Sequence, residues 1–169
     1  GGYEVNKQTG ELLFHEGKPV IRWDVWFGWD FYDQTTFVDS MTGMELLVNG
    51  DYPFDIHSYT DQENIKTERL VSLSSLTDTS YLDFNADGTG FTMYAHNLDT
   101  NPDGTHVKLY RLVYFTTPLD DTDGTGYLTT GLKNEYTVTH KDPYGNGFGH
   151  GPISGESEPT MTANARLYV

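Results

Sequence analysis

Oxygen-bearing side chains recur at alternate positions beside glycine in this sequence. Asp83, Asn85 and Asp87 precede Gly88; Asp99, Asn101 and Asp103 precede Gly104; Asp121 and Asp123 precede Gly124. Alternate oxygens ahead of a glycine form the first half of a calcium loop, where carboxylates and amides wrap a hard cation and glycine permits the sharp bend. The bidentate glutamate that closes such a loop at its twelfth position is missing, because Tyr94 and Tyr110 stand there. Bulged hairpin tips call for the same residues, since Asn or Asp bonds its own backbone and Gly takes the left-handed conformation. Turns are therefore the first expectation. Calcium held among Asp83, Asn85, Asp87, Asp99, Asp103, Asp121 and Asp123 is the second, and no other cofactor is indicated.

The segment Val20 to Tyr32 offers different chemistry. Ile21, Trp23, Val25, Phe27, Trp29 and Phe31 alternate with Arg22, Asp24, Trp26, Gly28, Asp30 and Tyr32, as a strand with one core face requires. On the polar face, Trp26 and Tyr32 interleaved with Arg22, Asp24 and Asp30 resemble a sugar site: rings stack on C–H faces while charged groups take hydroxyls. Aromatic residues packed beneath a loop, with solvated charges between them, would give the same pattern.

Catalytic signatures are weaker. Asp24 and Asp30 lie about 20 Å apart on an extended strand, too far for a glycosidase pair. Gly151-Pro152-Ile153-Ser154-Gly155 misses the nucleophile-elbow frame by one position. His15, His57, His96, His106, His140 and His150 share no metal-binding spacing. There is no phosphate loop and no dinucleotide fingerprint.

The elements that would position these groups are strands. Within 169 residues, 14% aromatics and 18 glycines without Ala-, Leu- or Glu-rich runs indicate an all-β domain. Hairpins are expected around Asn6–Gly10, Glu16-Gly17 and Asn49-Gly50. The tips at 85–88 and 101–104 predict a meander of strands at 79–84, 89–98 and 105–117, with Tyr81 facing Met93, Leu82 facing Thr92, and Phe91 facing Phe115. One short helix is expected after Thr60, whose spacing to Glu63 fits a capping box. Val71 and Leu73 alternate with serines as a brief strand, and Thr125 to Thr139 supplies further strand. The expected architecture is a single antiparallel β-sandwich, jelly-roll-like, over residues 1–141, with a partly closed barrel as the alternative. A Gly/Pro-rich loop over 142–160 leads to a last strand, 161–169.

A net charge of −15 opposes nucleic acid and anionic membranes as partners. Zero cysteines exclude disulfides and thiolate metal sites. No apolar run approaches the ~18 residues of a membrane-spanning helix, so membrane insertion is not expected. The acidic, cysteine-free, Gly/Thr/Asp/Tyr-rich composition resembles secreted and cell-surface β domains.

The last strand carries Met161, Ala163, Ala165, Leu167 and Val169 on one face and Thr162, Asn164, Arg166 and Tyr168 on the other. Such a strand closes its own sheet or adds to a neighbour's open edge. The first expectation for function is thus a non-enzymatic, extracellular structural or surface protein, self-assembling with copies of itself as a filament or surface-layer subunit. The alternative is a carbohydrate-binding module that takes a glycan on Trp26 and Tyr32, with a structural calcium. A small-ligand barrel or an enzyme comes third.

Overall fold

Period-two alternation decides which residues face inward. Thr35, Phe37, Asp39 and Met41 are buried while Gln34, Val38, Ser40 and Thr42 are exposed, so one strand presents one face to a core and one to solvent. A computed structural model describes residues 1–28, 34–60, 68–98, 109–141 and 153–159. The strands are β1 (Gly2–Tyr3), β2 (Phe14–His15), β3 (Lys18–Pro19), β4 (Ile21–Gly28), β5 (Gln34–Thr42), β6 (Met44–Leu47), β7 (Phe54–Tyr59), β8 (Glu68–Leu73), β9 (Leu82–Phe84), β10 (Gly90–Tyr94), β11 (Leu109–Pro118), β12 (Lys133–Lys141) and β13 (Ile153–Ser157).

A six-stranded sheet runs β1-β4-β11-β7-β8, with β6 also on β11, and a five-stranded sheet runs β13-β12-β5-β10-β9. Their apolar faces meet as a sandwich, not a closed barrel. Phe27 stacks on Phe37 at 5.0 Å, and Phe54 meets Phe91 edge-on at 4.9 Å. The β1/β4 side of one sheet therefore lies over the β12/β13 side of the other, and β7 lies over β10. Trp23, at 0% exposure, donates its indole N–H to Thr116 Oγ1 at 2.8 Å, so the largest core residue leaves no polar atom unpaired.

Turn chemistry explains several connections. Asn6 Oδ1 accepts the N–H groups of Gln8 at 2.9 Å and Thr9 at 3.1 Å, and Val5 pairs with Leu12 across the expected tip. Glu16 at φ 50 and Gly17 at φ 81 are both left-handed, as the tight β2–β3 hairpin requires. At Gly90 the constraint is proximity, because a Cβ there would lie 2.3 Å from the Asp39 carbonyl oxygen.

Three expectations are corrected. First, the meander ends after two strands. β9 and β10 pair, but a 3₁₀ helix at Ala95–Leu98 follows β10, and β11 joins the opposite sheet beside β4, β6 and β7. Phe91 packs in the core against Tyr114, while Phe115 is on the outer face against Tyr52. The β9–β10 register is also one residue off expectation, with Leu82 facing Met93 and Asp83 facing Thr92. Asp87 Oδ1 takes the Thr89 N–H at 3.0 Å, and Asn85 N–H closes the turn onto Gly90 O at 3.0 Å instead.

Second, Asn49-Gly50 does not make a hairpin. β6 and β7 follow one another along the same side of β11, Leu47 opposite Phe115 and Asp55 opposite Val113, with residues 48–53 looping out between them. Asn49 Oδ1 holds that loop through the N–H groups of Asp51 and Tyr52 at 2.9 and 2.8 Å. Third, residues 153–157 of the expected loop form β13, paired with β12 from Val138↔Ile153 to Asn134↔Ser157. The helix expected after Thr60, the turn at 101–104 and the strand at 161–169 lie outside the described residues. Among the described residues no helix is long and apolar enough to cross a membrane.

Candidate functional site

The polar face of β4 is built as the alternation implies. Arg22, Asp24 and Trp26 share the outer face of the six-stranded sheet, while Tyr32 and Asp30 lie outside the described residues. Asp24 is 2% exposed. Arg111, from the neighbouring β11, grips both its oxygens, Nε to Oδ1 at 2.9 Å and Nη2 to Oδ2 at 2.6 Å, and Arg22 Nη1 adds a bond of 3.3 Å. Burial alone would raise the Asp24 pKa; the two guanidiniums outweigh it and hold the carboxyl below the usual carboxylate range. Arg111 Cζ also stands 5.0 Å from the Trp26 ring centroid, and Tyr59 stacks on Trp26 at 5.8 Å. Tyr59 Oη donates to Glu68 Oε1 at 3.4 Å, and the same oxygen pairs with His57 Nδ1. The hydrogen-bonding groups of this patch are thus engaged with one another. Arg111 and Tyr59, which complete it, escaped the sequence reading because nothing local links them to Asp24 and Trp26.

A second polar cluster crosses the core. Tyr114 Oη, from the six-stranded sheet, donates to Asp39 Oδ2 at 2.5 Å, and Asn134 Nδ2 donates to Tyr114 Oη at 2.9 Å. Asp39 Oδ1 and Asn134 Oδ1 are buried without hydrogen-bond partners. Burial pushes the Asp39 carboxyl up to about 7, against the opposing pull of the Tyr114 and Asn134 hydrogen bonds. Burial and the nearby Asp39 likewise push the Tyr114 phenol well up. Alternation within β5 places Asp39 inward, the one available signal for this cluster.

The oxygen-rich tips serve their turns. Asp87 Oδ1 accepts from the Thr89 hydroxyl at 2.6 Å as well as from its N–H, and Asp121 Oδ1 takes the Thr125 N–H at 3.1 Å. Asp83 stands in β9 opposite Thr92, Asn85 closes the turn to Gly90, and Asp123 lies in the exposed turn before Gly124. Asp99 and Asp103 lie outside the described residues. Among the described residues no group of three or more His, Asp or Glu is placed to hold a metal ion.

The backbone of β4 provides the remaining feature. β11 pairs with it from Ile21 to Gly28, and on its other side β1 pairs with Ile21 and Arg22 while Gly1 packs against Trp23. Among the described residues no strand pairs with Trp23–Gly28 on that side, although Trp23, Asp24 and Val25 are buried. On the same side of the sandwich, at the Ile21 end of β4, lies a cleft of 490 Å³ lined by residues that include Tyr3, Leu12, Pro19, Tyr127, Leu132 and Pro159. Met161, Ala163, Ala165, Leu167 and Val169 lie outside the described residues, immediately beyond that cleft in the sequence.

No protein family and no characterised protein sequence matches this chain. Among solved structures, the chain is similar to ACE19, the collagen-binding subdomain of the Enterococcus faecalis surface protein ACE. The two share 15% identity at a TM-score of 0.46, over 88% of this chain and 90% of that one. The sandwich assignment rests on the strand pairings described above and not on this likeness.

Proposed function

We propose that the chain is a non-enzymatic structural protein of an extracellular or cell-surface setting, which assembles with copies of itself by β-strand addition. The edge of β4 that no described strand pairs beyond Arg22 carries the reading. Six consecutive residues, Trp23–Gly28, have ladder partners on the β11 side and none on the other among the described residues, although their inner side chains are core. An edge of this kind is completed by main-chain hydrogen bonds from an incoming strand, whose alternate side chains then extend the core. The acidic, cysteine-free composition supports the setting. A net charge of −15 makes copies repel, so screening by salt favours their association.

The test is the mass of the purified chain in solution, by sedimentation over a range of concentrations at low and high salt. Oligomers or polymers that grow with concentration and with salt are expected. A monomer under every condition overturns the assembly reading.

A further inference from the structure

We propose that Asp39, Tyr114 and Asn134 form a proton-operated latch between the two sheets, in which Asp39 carries a proton on Oδ1 and donates it to Asn134 Oδ1. Each of the three side chains then gives one hydrogen bond to the next and takes one from the last, so the ring closes.

A count of donors assigns the proton. Tyr114 Oη, reaching across the core from β11, has a single proton and gives it to Asp39 Oδ2 at 2.5 Å. The Asn134 atom 2.9 Å from that phenol must therefore be the donor Nδ2, which leaves Oδ1 to face elsewhere. Asp39 Oδ1 and Asn134 Oδ1 are both buried without a partner, although Asn134 lies within hydrogen-bond reach of the Asp39 carboxyl. With Asp39 ionised both atoms are acceptors, and each forfeits the hydrogen bond that water gives it in the unfolded chain. One proton between them satisfies both.

The rest of the surroundings is apolar or turned away. In the flanking strands Asp39 stands opposite Phe91 of β10 and Tyr136 of β12, and the Tyr136 ring and hydroxyl lie against Gly155. Tyr114 packs on Phe54 and Phe91. Among the described residues no Lys, Arg or His is buried, and the other buried carboxylate, Asp24, belongs to the outer face of its sheet. Burial pushes the Asp39 carboxyl up to about 7 and the Tyr114 phenol well up, so both keep their protons in mild acid.

Asp39 and Asn134 belong to the five-stranded sheet and Tyr114 to the six-stranded one, so the ring ties sheet to sheet. Its contribution is fully present below about pH 4 and falls as the pH rises to about 7, where the proton leaves the folded state. Above that a carboxylate oxygen faces a carbonyl oxygen inside the core, and the tie is loosened.

The test follows the Asp39 side-chain carbon by NMR against pH in the labelled chain. Asn134→Leu removes a bond that only the neutral acid makes, so the titration midpoint should fall by about one pH unit. A midpoint that rises, as it would if Asn134 or an internal water donated to an ionised Asp39, overturns the proposal, and so does an unchanged one. Two further measurements do not depend on that variant's folding. In the infrared at about pH 6, where exposed carboxyls are ionised, a carboxylic-acid carbonyl band should be present in the parent and absent from Asp39→Asn. No such band, or one that Asp39→Asn retains, overturns the proton assignment. Hydrogen exchange of core amides in β5, β11 and β12, corrected for intrinsic rate, should quicken about tenfold per pH unit between about pH 5 and pH 7 in the parent. It should not do so in Asp39→Asn, whose amide can donate to Asn134 at every pH; equal pH dependence in the two chains overturns the latch.

Discussion

Replacing Asp39 by asparagine should make the protein more stable at alkaline pH and change its dependence on pH. The Asp39 carboxyl is 1% exposed, accepts a hydrogen bond of 2.5 Å from Tyr114, and leaves Oδ1 unpartnered. Its pKa rises from 3.8 to about 7 on folding, chiefly through burial. The folded state therefore holds this proton more tightly than the unfolded state does. Stability linked to the group is fully present below pH 4 and is lost as pH rises towards 7, above which the loss is constant. At about 1.4 kcal/mol per unit, a shift of roughly three units corresponds to about 4 kcal/mol. Asparagine keeps a similar shape and an acceptor for Tyr114 but cannot ionise. The difference in unfolding free energy between Asp39→Asn and the parent, from urea titrations at a series of pH values, should grow by about 4 kcal/mol between pH 4 and pH 8. Any fixed cost of the new amide N–H groups shifts this difference equally at every pH. Parallel stability curves over that range would refute the reasoning.

Other outcomes follow from the same geometry. Arg111→Met should cost about 3 kcal/mol at neutral pH by leaving the buried Asp24 carboxylate short of its main partner; a double-mutant cycle with Asp24→Asn should show most of that loss vanish when both charges are absent. Gly90→Ala, which sets a methyl against the Asp39 carbonyl at 2.3 Å, should lower the melting temperature measurably, because backbone and not a mobile side chain must yield. Leu167→Asp should reduce the assembled mass in sedimentation, since a carboxylate placed in an apolar row is costly; an unchanged mass distribution would count against burial of that strand.

Local signals in the sequence translated well into local structure. The alternation from Ile21 to Phe27 gave the inner and outer faces of β4, Glu16-Gly17 gave a left-handed two-residue turn, and Asn85 to Gly88 gave the β9–β10 tip. Partner choice was less legible. Phe91 and Phe115 look like a cross-strand pair because both are aromatic beside alternating neighbours, yet one fills the core and the other lies outside. Apolar alternation marks a buried face without saying which sheet the face belongs to. Asn49-Gly50 failed for a related reason: its turn propensity is real, but β11 was already there to receive both flanking strands. The shared outer face of Arg22, Asp24 and Trp26 follows from their spacing, whereas Arg111 lies 87 residues from Asp24 and has no local mark. The Asp39 cluster shows only as a carboxylate at an inward position. The β13 pairing was hidden by its setting, a segment so rich in glycine and proline that strand formation was not expected there.

β11 is bonded to β4 on one side and to β6 and β7 on the other, so it joins the two halves of its sheet. Its contacts with β4 are long in sequence, as in the Trp23 to Thr116 hydrogen bond across 93 residues. The six-stranded sheet consequently has no partial form that includes β4 beside β7 before residue 109 has been made. High contact order of this kind slows folding and postpones it until most of the chain is available. During synthesis the earlier strands wait, with their aromatic faces unpaired, for one late strand. A chain that crosses a membrane before it folds gains from that delay, because the segment passing through stays extended until its joining strand has followed.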